Sequence, residues 1–357
     1  MSKCKVAIFQ YDLGVGGIQK SLINLLNAID EKKYDIDLFL FSKEDFYETS
    51  LPKFVTVNYI HSFPSWMKIL PFRIAKRFAH KLNDTIYDVA IDFNSYQNEC
   101  AAFALLCNAN RHIIWCHNDV KIKQKNEARY RYLWLMMKSK FYFFDNICIV
   151  SKGAKKSFVE VTGIEEKKVH VLPNIINTDE IFQYKNQVNS IEVDNNKYNL
   201  ITVGRISHQK GLDILVELFG KVVEKRKDIH LYIVGDGDDK KKLIEEVQKL
   251  KLNNFVTFTG YLKNPFSLMN NMDGFILTSR YEGQGMVLLE AKSLGLDVFI
   301  PKHLEQYVDN ISGQVDLINS LLNASKNAIK RYDDLSTYNN SIIEKFDQLC
   351  TEETNYE

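Results

Sequence analysis

Short apolar runs alternate with longer amphipathic ones along this chain. Runs at 5–11, 36–42, 54–60, 87–93, 111–116, 146–151 and 168–173 have strand length, and helix-period patterns lie between them. A polar stretch at 179–198, rich in Asn, Asp and Gln, interrupts the series, which restarts at 199–203, 229–234, 255–258, 274–278 and 297–300. Strands buried on both faces read as continuous apolar runs, so the alternation predicts parallel sheets covered by helices. The expected fold class is α/β: two Rossmann-like doubly wound domains facing across a cleft. Expected boundaries are 1–178 for the first domain, 179–198 for a linker and 199–330 for the second domain. Residues 331–357 read as a helical tail, with a return to the first domain as one option. Ligands of such sheets gather outside the carboxyl ends of the strands.

At 357 residues the chain exceeds the size at which one core keeps growing, which agrees with two domains. Hydrophobic content of 45% and charged content of 25% exclude a disordered or membrane-embedded class. The net charge of +1 hides an asymmetry. Residues 1–178 carry 25 Lys and Arg against 18 Asp and Glu, whereas 179–357 carry 21 against 27. The first half is thus expected to meet an anionic partner. Six cysteines, at 4, 100, 107, 116, 148 and 350, form no C-x-x-C pair and read as reduced, buried thiols. No apolar run approaches the ~20 residues of a membrane span and residues 1–8 are no signal peptide, so a cytoplasmic location is expected. Near-neutral charge and the lack of a nucleic-acid-binding motif argue against a nucleic-acid partner.

The most telling stretch runs from Arg280 to Gly295, R-Y-E-G-Q-G-M-V-L-L-E-A-K-S-L-G. Glu282 falls in a glycine-rich turn after an apolar strand, and Glu290 about two turns into the helix that the turn opens. Helical rise over that spacing gives roughly 12 Å, which suits gripping the two ends of an extended, polyhydroxylated ligand. Gly283 and Gly285 leave backbone N–H groups at a helix start, where an anion is favoured. A second cluster, Val203 to Asp213, places Arg205 and Lys210 between glycines at a strand end. They can converge on one diphosphate, the Arg as a planar fork and the Lys as a point charge.

Gly16 and Gly17, in the cluster Gly14 to Ser21 after the first strand, bring backbone amides close to an anion or simply make a turn. The cluster is not G-x-G-x-x-G, which argues against NAD. His117 ends the strand 111–116 at its carboxyl edge, as a site residue or as a structural one. Two stretches are basic. Pro71 to Leu82 reads as a helix with Ile74, Ala75, Phe78, Ala79 and Leu82 on one face and Arg73, Lys76, Arg77, His80 and Lys81 on the other. Lys121 to Lys140 sets seven cations against Glu127, interleaved with Tyr130, Tyr132, Trp134 and Leu135. Basic amphipathic helices suit an anionic membrane surface, or pack on a core with a solvated charged face.

Together these residues resemble the retaining glycosyltransferases of family 4, which have the GT-B fold. Glu282 to Glu290 looks like that family's E-x7-E element, and Gly204-Arg205 with Lys210-Gly211 like its diphosphate clamp. Gly16-Gly17 looks like its N-terminal glycine loop, while Val150-Ser151 and Leu172-Pro173-Asn174 resemble its segments near the hinge. The resemblance implies that Glu290 holds ribose hydroxyls. It implies that Glu282 contacts the transferred sugar, with the backbone amides of Gly283, Gln284, Gly285 and Met286 around it. Arg205 and Lys210 would neutralise the diphosphate with help from Gly16 and Gly17, and His117 would touch the donor sugar. Transfer would retain the anomeric configuration, the departing diphosphate taking the acceptor proton, and no metal or other cofactor would be needed. The chain departs from the pattern at Gln19, at Gln284 and at Lys302 to Tyr307, where a glycine-rich return is usual.

The expected activity is transfer of a hexose from a UDP-sugar to a lipid-linked or saccharide acceptor in cell-surface polysaccharide biosynthesis. The protein is expected at the inner face of the membrane, held there by its basic half. Two other readings stay open: a UDP-sugar epimerase of the same fold, and a non-catalytic partner subunit of a glycosyltransferase complex.

Overall fold

The computed structural model describes residues 2–44, 46–67, 70–188, 190–326 and 330–351. The chain forms two compact units. One runs up to Ile175 and resumes at Ser336, and the other is Ile176–Leu335.

The first unit is built on seven strands: β1 (Cys4–Gln10), β2 (Tyr34–Leu40), β3 (Val55–Tyr59), β4 (Tyr87–Asp92), β5 (Ala109–Cys116), β6 (Asn146–Ile149) and β7 (Val169–Val171). They lie in the order β3-β2-β1-β4-β5-β6-β7, and every neighbouring pair is parallel. Alternate residues of β1 serve two different cores. Ala7 and Phe9 pack with Phe39 and Phe103, whereas Val6 and Ile8 pack with Leu22 and Leu26. Both faces are covered, which is why the strand reads as one unbroken apolar run. The helix Ser336–Thr351 inserts Ile342, Phe346 and Cys350 into the second of these cores. Each large apolar side chain so buried contributes roughly 1.5–3 kcal/mol before entropy is counted.

The second unit holds β8 (Tyr198–Val203), β9 (Ile229–Val234), β10 (Val256–Gly260), β11 (Gly274–Ile276) and β12 (Asp297–Phe299), parallel throughout and ordered β10-β9-β8-β11-β12. In both sheets the strand order reverses beside the unit's first strand, between β1 and β4 and between β8 and β11. Such a switch point leaves the segments after the two strands diverging, with an opening between them.

Several segments differ from expectation. The polar stretch 179–198 lies within the second unit and holds most of the helix Thr178–Tyr184, capped by Asn177 and anchored by buried Ile181. Residues 71–82 form no long helix, but a turn of helix at Phe72–Ala75 followed by a 3-10 turn at Lys76–Phe78. Phe72 and Ala75 are buried, Ala79 and Leu82 pack against the same core, and Ile74 and Phe78 stay exposed, so only part of the expected apolar face is packed. The Phe72 ring lies 5.9 Å from Phe143. Lys140, counted among the solvated cations, is fully buried.

Candidate donor-binding site

The segment after β8 and the segment after β11 flank the switch point of the second sheet, and backbone contacts tie them together. Gly211 has φ +61°, and a Cβ there would sit 2.3 Å from the Thr278 carbonyl oxygen. Only glycine lets the two strand ends approach so closely. The Thr278 hydroxyl then donates to the Gly211 carbonyl at 2.9 Å. The Arg280 N–H donates to the Gln209 carbonyl at 2.8 Å, and the Gln209 amide to the Tyr281 carbonyl at 3.3 Å. Arg280 clasps Asp213 through both carboxylate oxygens, at 2.8 and 2.6 Å, which holds the Asp213 carboxyl below its ordinary range.

This frame positions a charge cluster. Lys210 Nζ lies 2.8 Å from Glu282 Oε1, and the Ser279 hydroxyl donates to the same oxygen at 2.5 Å. The Glu282 side chain is 7% exposed and that of Lys210 22%, so this pair is shielded from water. Arg205 is exposed, and together with Gly204, Lys210 and Leu277 it lines a small pocket. The helix Met286–Ser293 opens at Gly285, whose φ of +71° lets the chain turn from Glu282 into the helix. Gly283, Gln284 and Gly285 are buried in that turn, and Met286 is the first helical residue. Glu290 is half-buried and lies little more than one turn into the helix, not two, because the helix begins four residues after Glu282. The first carboxylate is therefore a turn residue, and a straight helical ladder does not describe the spacing.

The remaining expected site residues belong to the first unit. Gly16 caps the helix Gly17–Ala28 after β1, and a Cβ on Gly17 would meet nothing within 4 Å. Asp12 organises this turn, its Oδ1 accepting from the Gly14 N–H at 2.9 Å and from the Gln19 amide at 2.7 Å. Gln19 is thus a donor to a carboxylate, a role an acidic residue there could not fill. His117 follows β5, with Nε2 2.7 Å from the Phe93 carbonyl and its ring against Phe93 and Trp115. Burial lowers its pKa to about 4, so the ring is neutral near pH 7. Nε2 then carries the proton that Phe93 accepts. Nδ1 is left as a buried acceptor with no hydrogen-bond partner, the kind of atom a ligand hydroxyl satisfies.

Sequence reasoning missed Asp12, Ser279 and the Asp92–Lys140 neighbourhood. Asp92 Oδ1 accepts from the Asn94 and Ser95 N–H groups, each at 3.0 Å. Burial raises its pKa to about 6, opposed by the nearby buried Lys140 and those two N–H bonds. Lys140 donates to the Gln97 carbonyl at 3.3 Å. A polar residue closing an apolar strand, as Asp12 and Asp92 nearly do, is the one signal that could have marked them.

Polar side chains converging on the switch point of a doubly wound sheet define the class of α/β proteins that bind anionic ligands at strand ends. Comparison narrows it. A family model described as Glycosyltransferase Family 4 matches residues 15–180, and one described as Glycosyl transferases group 1 matches residues 183–306. The chain belongs to the family 4 glycosyltransferases and has their GT-B fold.

An uncharacterized glycosyltransferase of Methanocaldococcus jannaschii is 29% identical over 243 residues, 64% of this chain and 59% of that protein. The chain thus spans about three fifths of that relative's length. The N-acetylgalactosamine-N,N'-diacetylbacillosaminyl-diphospho-undecaprenol 4-alpha-N-acetylgalactosaminyltransferase of Campylobacter jejuni is 26% identical over 306 residues, 84% of this chain and 81% of that one. Among solved structures, Anabaena HepE in complex with UDP-glucose matches with a TM-score of 0.68 at 17% identity, covering 96% of this chain and 99% of that chain. At such identity the likeness speaks to the fold.

Proposed function

We propose that the protein transfers a hexose from a UDP-sugar to a lipid-linked or saccharide acceptor in cell-surface polysaccharide biosynthesis, with retention of configuration. The observation that carries this reading is the Lys210–Glu282–Ser279 cluster at the switch point of the second sheet. A diphosphate arriving beside Arg205 competes with Glu282 for Lys210. Its two negative charges take the lysine, and the freed carboxylate accepts hydrogen bonds from hydroxyls of the sugar. Charge-assisted bonds of this kind are each worth about 1.5–3 kcal/mol. The same cations stabilise the charge that grows on the diphosphate as the glycosidic bond breaks, so the reaction asks for no metal. Glu290 serves the ribose, and the turn Gly283–Met286 offers backbone amides to the donor. The first unit brings its own candidate groups to this reading: Nδ1 of His117 for a sugar hydroxyl, and the turn at Gly16 and Gly17 for an anion.

The names and ligands of the relatives support the donor and acceptor classes. The Campylobacter protein acts on a diphospho-undecaprenol-linked sugar, and HepE was crystallised with UDP-glucose. Peripheral docking at the inner face of an anionic membrane is part of this reading. Trp66 stacks edge-on against Phe78 at 5.9 Å, and Lys76 Nζ sits 4.6 Å from the centre of the Phe143 ring. Trp66, Ile74, Phe78 and Phe143 are exposed beside Arg73 and Arg77. Aromatic rings among cations suit the headgroup layer, each cation contributing about 1 kcal/mol near an anionic leaflet. Among the described residues no helix is long and apolar enough to cross a membrane.

The test is UDP release from a panel of UDP-sugars with a lipid-linked acceptor, comparing wild type with Glu282→Ala and Arg205→Ala. Equal turnover in all three refutes the assignment. A new UDP-sugar formed without acceptor would instead indicate epimerisation.

A further inference from the structure

We infer that His303 is a positioning residue for Glu282 that sets which sugar the donor site prefers; this rests on the donor site proposed above. The turn Lys302–Tyr307 follows β12, which pairs with β11, so it stands beside the Glu282 segment on the side away from Lys210 and Gln209. His303 Nε2 lies 3.0 Å from the Ser279 carbonyl oxygen, and the hydroxyl of that same Ser279 holds Glu282 at 2.5 Å. An imidazole N–H donating from Nε2 fixes the Ser279 backbone and, through it, the hydroxyl and the carboxylate.

The turn is built to hold this contact. Leu304 and Tyr307 anchor it in the interior. Gln314 returns to it, its side chain accepting from the Ile300 N–H at 2.7 Å and donating to the Val298 carbonyl at 3.2 Å. At the other end of the Glu282 turn Val308 packs on Gly285, where a Cβ would lie 3.3 Å from Val308 Cγ2. One short segment therefore braces the turn at both Ser279 and Gly285.

The two sides of Glu282 have separate supports. From one side come Gln209 and Lys210, on the segment that would grip the diphosphate. From the other comes His303, which touches the Ser279 end. Loosening the His303 contact moves the group that reads sugar hydroxyls and leaves the diphosphate grip in place. A carboxylate shifted by a fraction of its hydrogen-bonding range discriminates poorly between epimers, because discrimination comes from buried polar groups left unpaired by the wrong sugar.

Calorimetry on the full chain tests this with UDP, UDP-glucose, UDP-galactose, UDP-N-acetylglucosamine and UDP-N-acetylgalactosamine. In wild type one UDP-sugar is expected to bind at least tenfold tighter than its 4-epimer. His303→Ala should cut that ratio at least fivefold while UDP itself stays within twofold. His303→Gln, whose amide N–H can still donate to the Ser279 carbonyl, should restore most of it. A merely structural role would weaken UDP and all four sugars in proportion, and thermal melts would fall with them. That outcome overturns the inference, as does a wild type without epimer preference or an alanine variant that keeps it. No binding of UDP by the wild type overturns the donor-site reading and the inference with it.

Discussion

The carboxyl edges of the two sheets solve opposite electrostatic problems. At the second edge Glu282 and Lys210 are both charged, shielded and bonded to each other before any ligand arrives. At the first, burial against Phe93 and Trp115 keeps His117 neutral despite its bond to the Phe93 carbonyl, which favours the charged ring, and one ring nitrogen is unsatisfied. The second edge holds its carboxylate against a cation, whereas the first holds an uncharged ring with an open acceptor.

The sharpest way to break this contrast is to remove charge from the second edge. Lys210→Ala or Arg205→Ala should weaken UDP binding by about 10²-fold, the loss of one charge-assisted bond, as read by calorimetry. Effects below threefold in both would show that these cations do not grip the diphosphate. Lys210→Ala should also lower the stability of the free protein by about 2 kcal/mol, because Glu282 is left buried without its cation. Arg205→Ala should not, since Arg205 is exposed. Urea melts of both variants check the difference.

At the first edge the predicted effects are smaller and appear in pH. His117 titrates at about 4 when folded, below its ordinary value of 6.5, so on acidification the unfolded chain takes the proton first. Its stabilisation is complete above pH 6.5 and is lost as pH falls towards 4. Asp92 works the other way: raised from 3.8 to about 6, it adds stability at low pH that is lost as pH rises through 6. His117→Gln should therefore gain stability relative to wild type between pH 7.5 and 4.5, and Asp92→Asn should flatten the opposing trend. Melts at the two pH values give the sign directly. The turnover of wild type should show no break near pH 6.5 from His117.

The smallest effect concerns the exposed aromatic patch. Charge reversal at Arg73 and Arg77 should reduce salt-sensitive sedimentation with anionic liposomes severalfold and leave UDP affinity unchanged. Unaltered sedimentation would remove the membrane from the account.

The sheets were legible because buried parallel strands are continuous apolar runs, and β1, β4, β5, β8 and β9 each read that way. The layout of the second edge was legible as far as it is local: Arg205 and Lys210 on one strand-end segment, and Glu282 within its glycine turn. What was not legible joins distant positions. Lys210 and Glu282 are 72 residues apart, and no local pattern marks them as partners. Lys140 read as one more solvated cation, because nothing near it in sequence shows that Asp92 lies close by. At residues 71–82 helical periodicity was present and Ala75, Ala79 and Leu82 do pack inward, but Phe72 is buried beside them while Ile74 and Phe78 stay exposed. Periodicity states which residues share a side, and packing partners decide which side goes in.

The closing helix of the chain has a bearing on biosynthesis. Ile342, Phe346 and Cys350 complete a core whose other walls come from the opening 175 residues. Ribosomes deliver those walls before the helix that covers them, with an entire second unit in between. The first unit must wait with an apolar furrow uncovered while the second can already mature. A nascent chain stalled before residue 336 should thus carry a finished second unit and an unfinished first one, which is where a chaperone would be expected to bind.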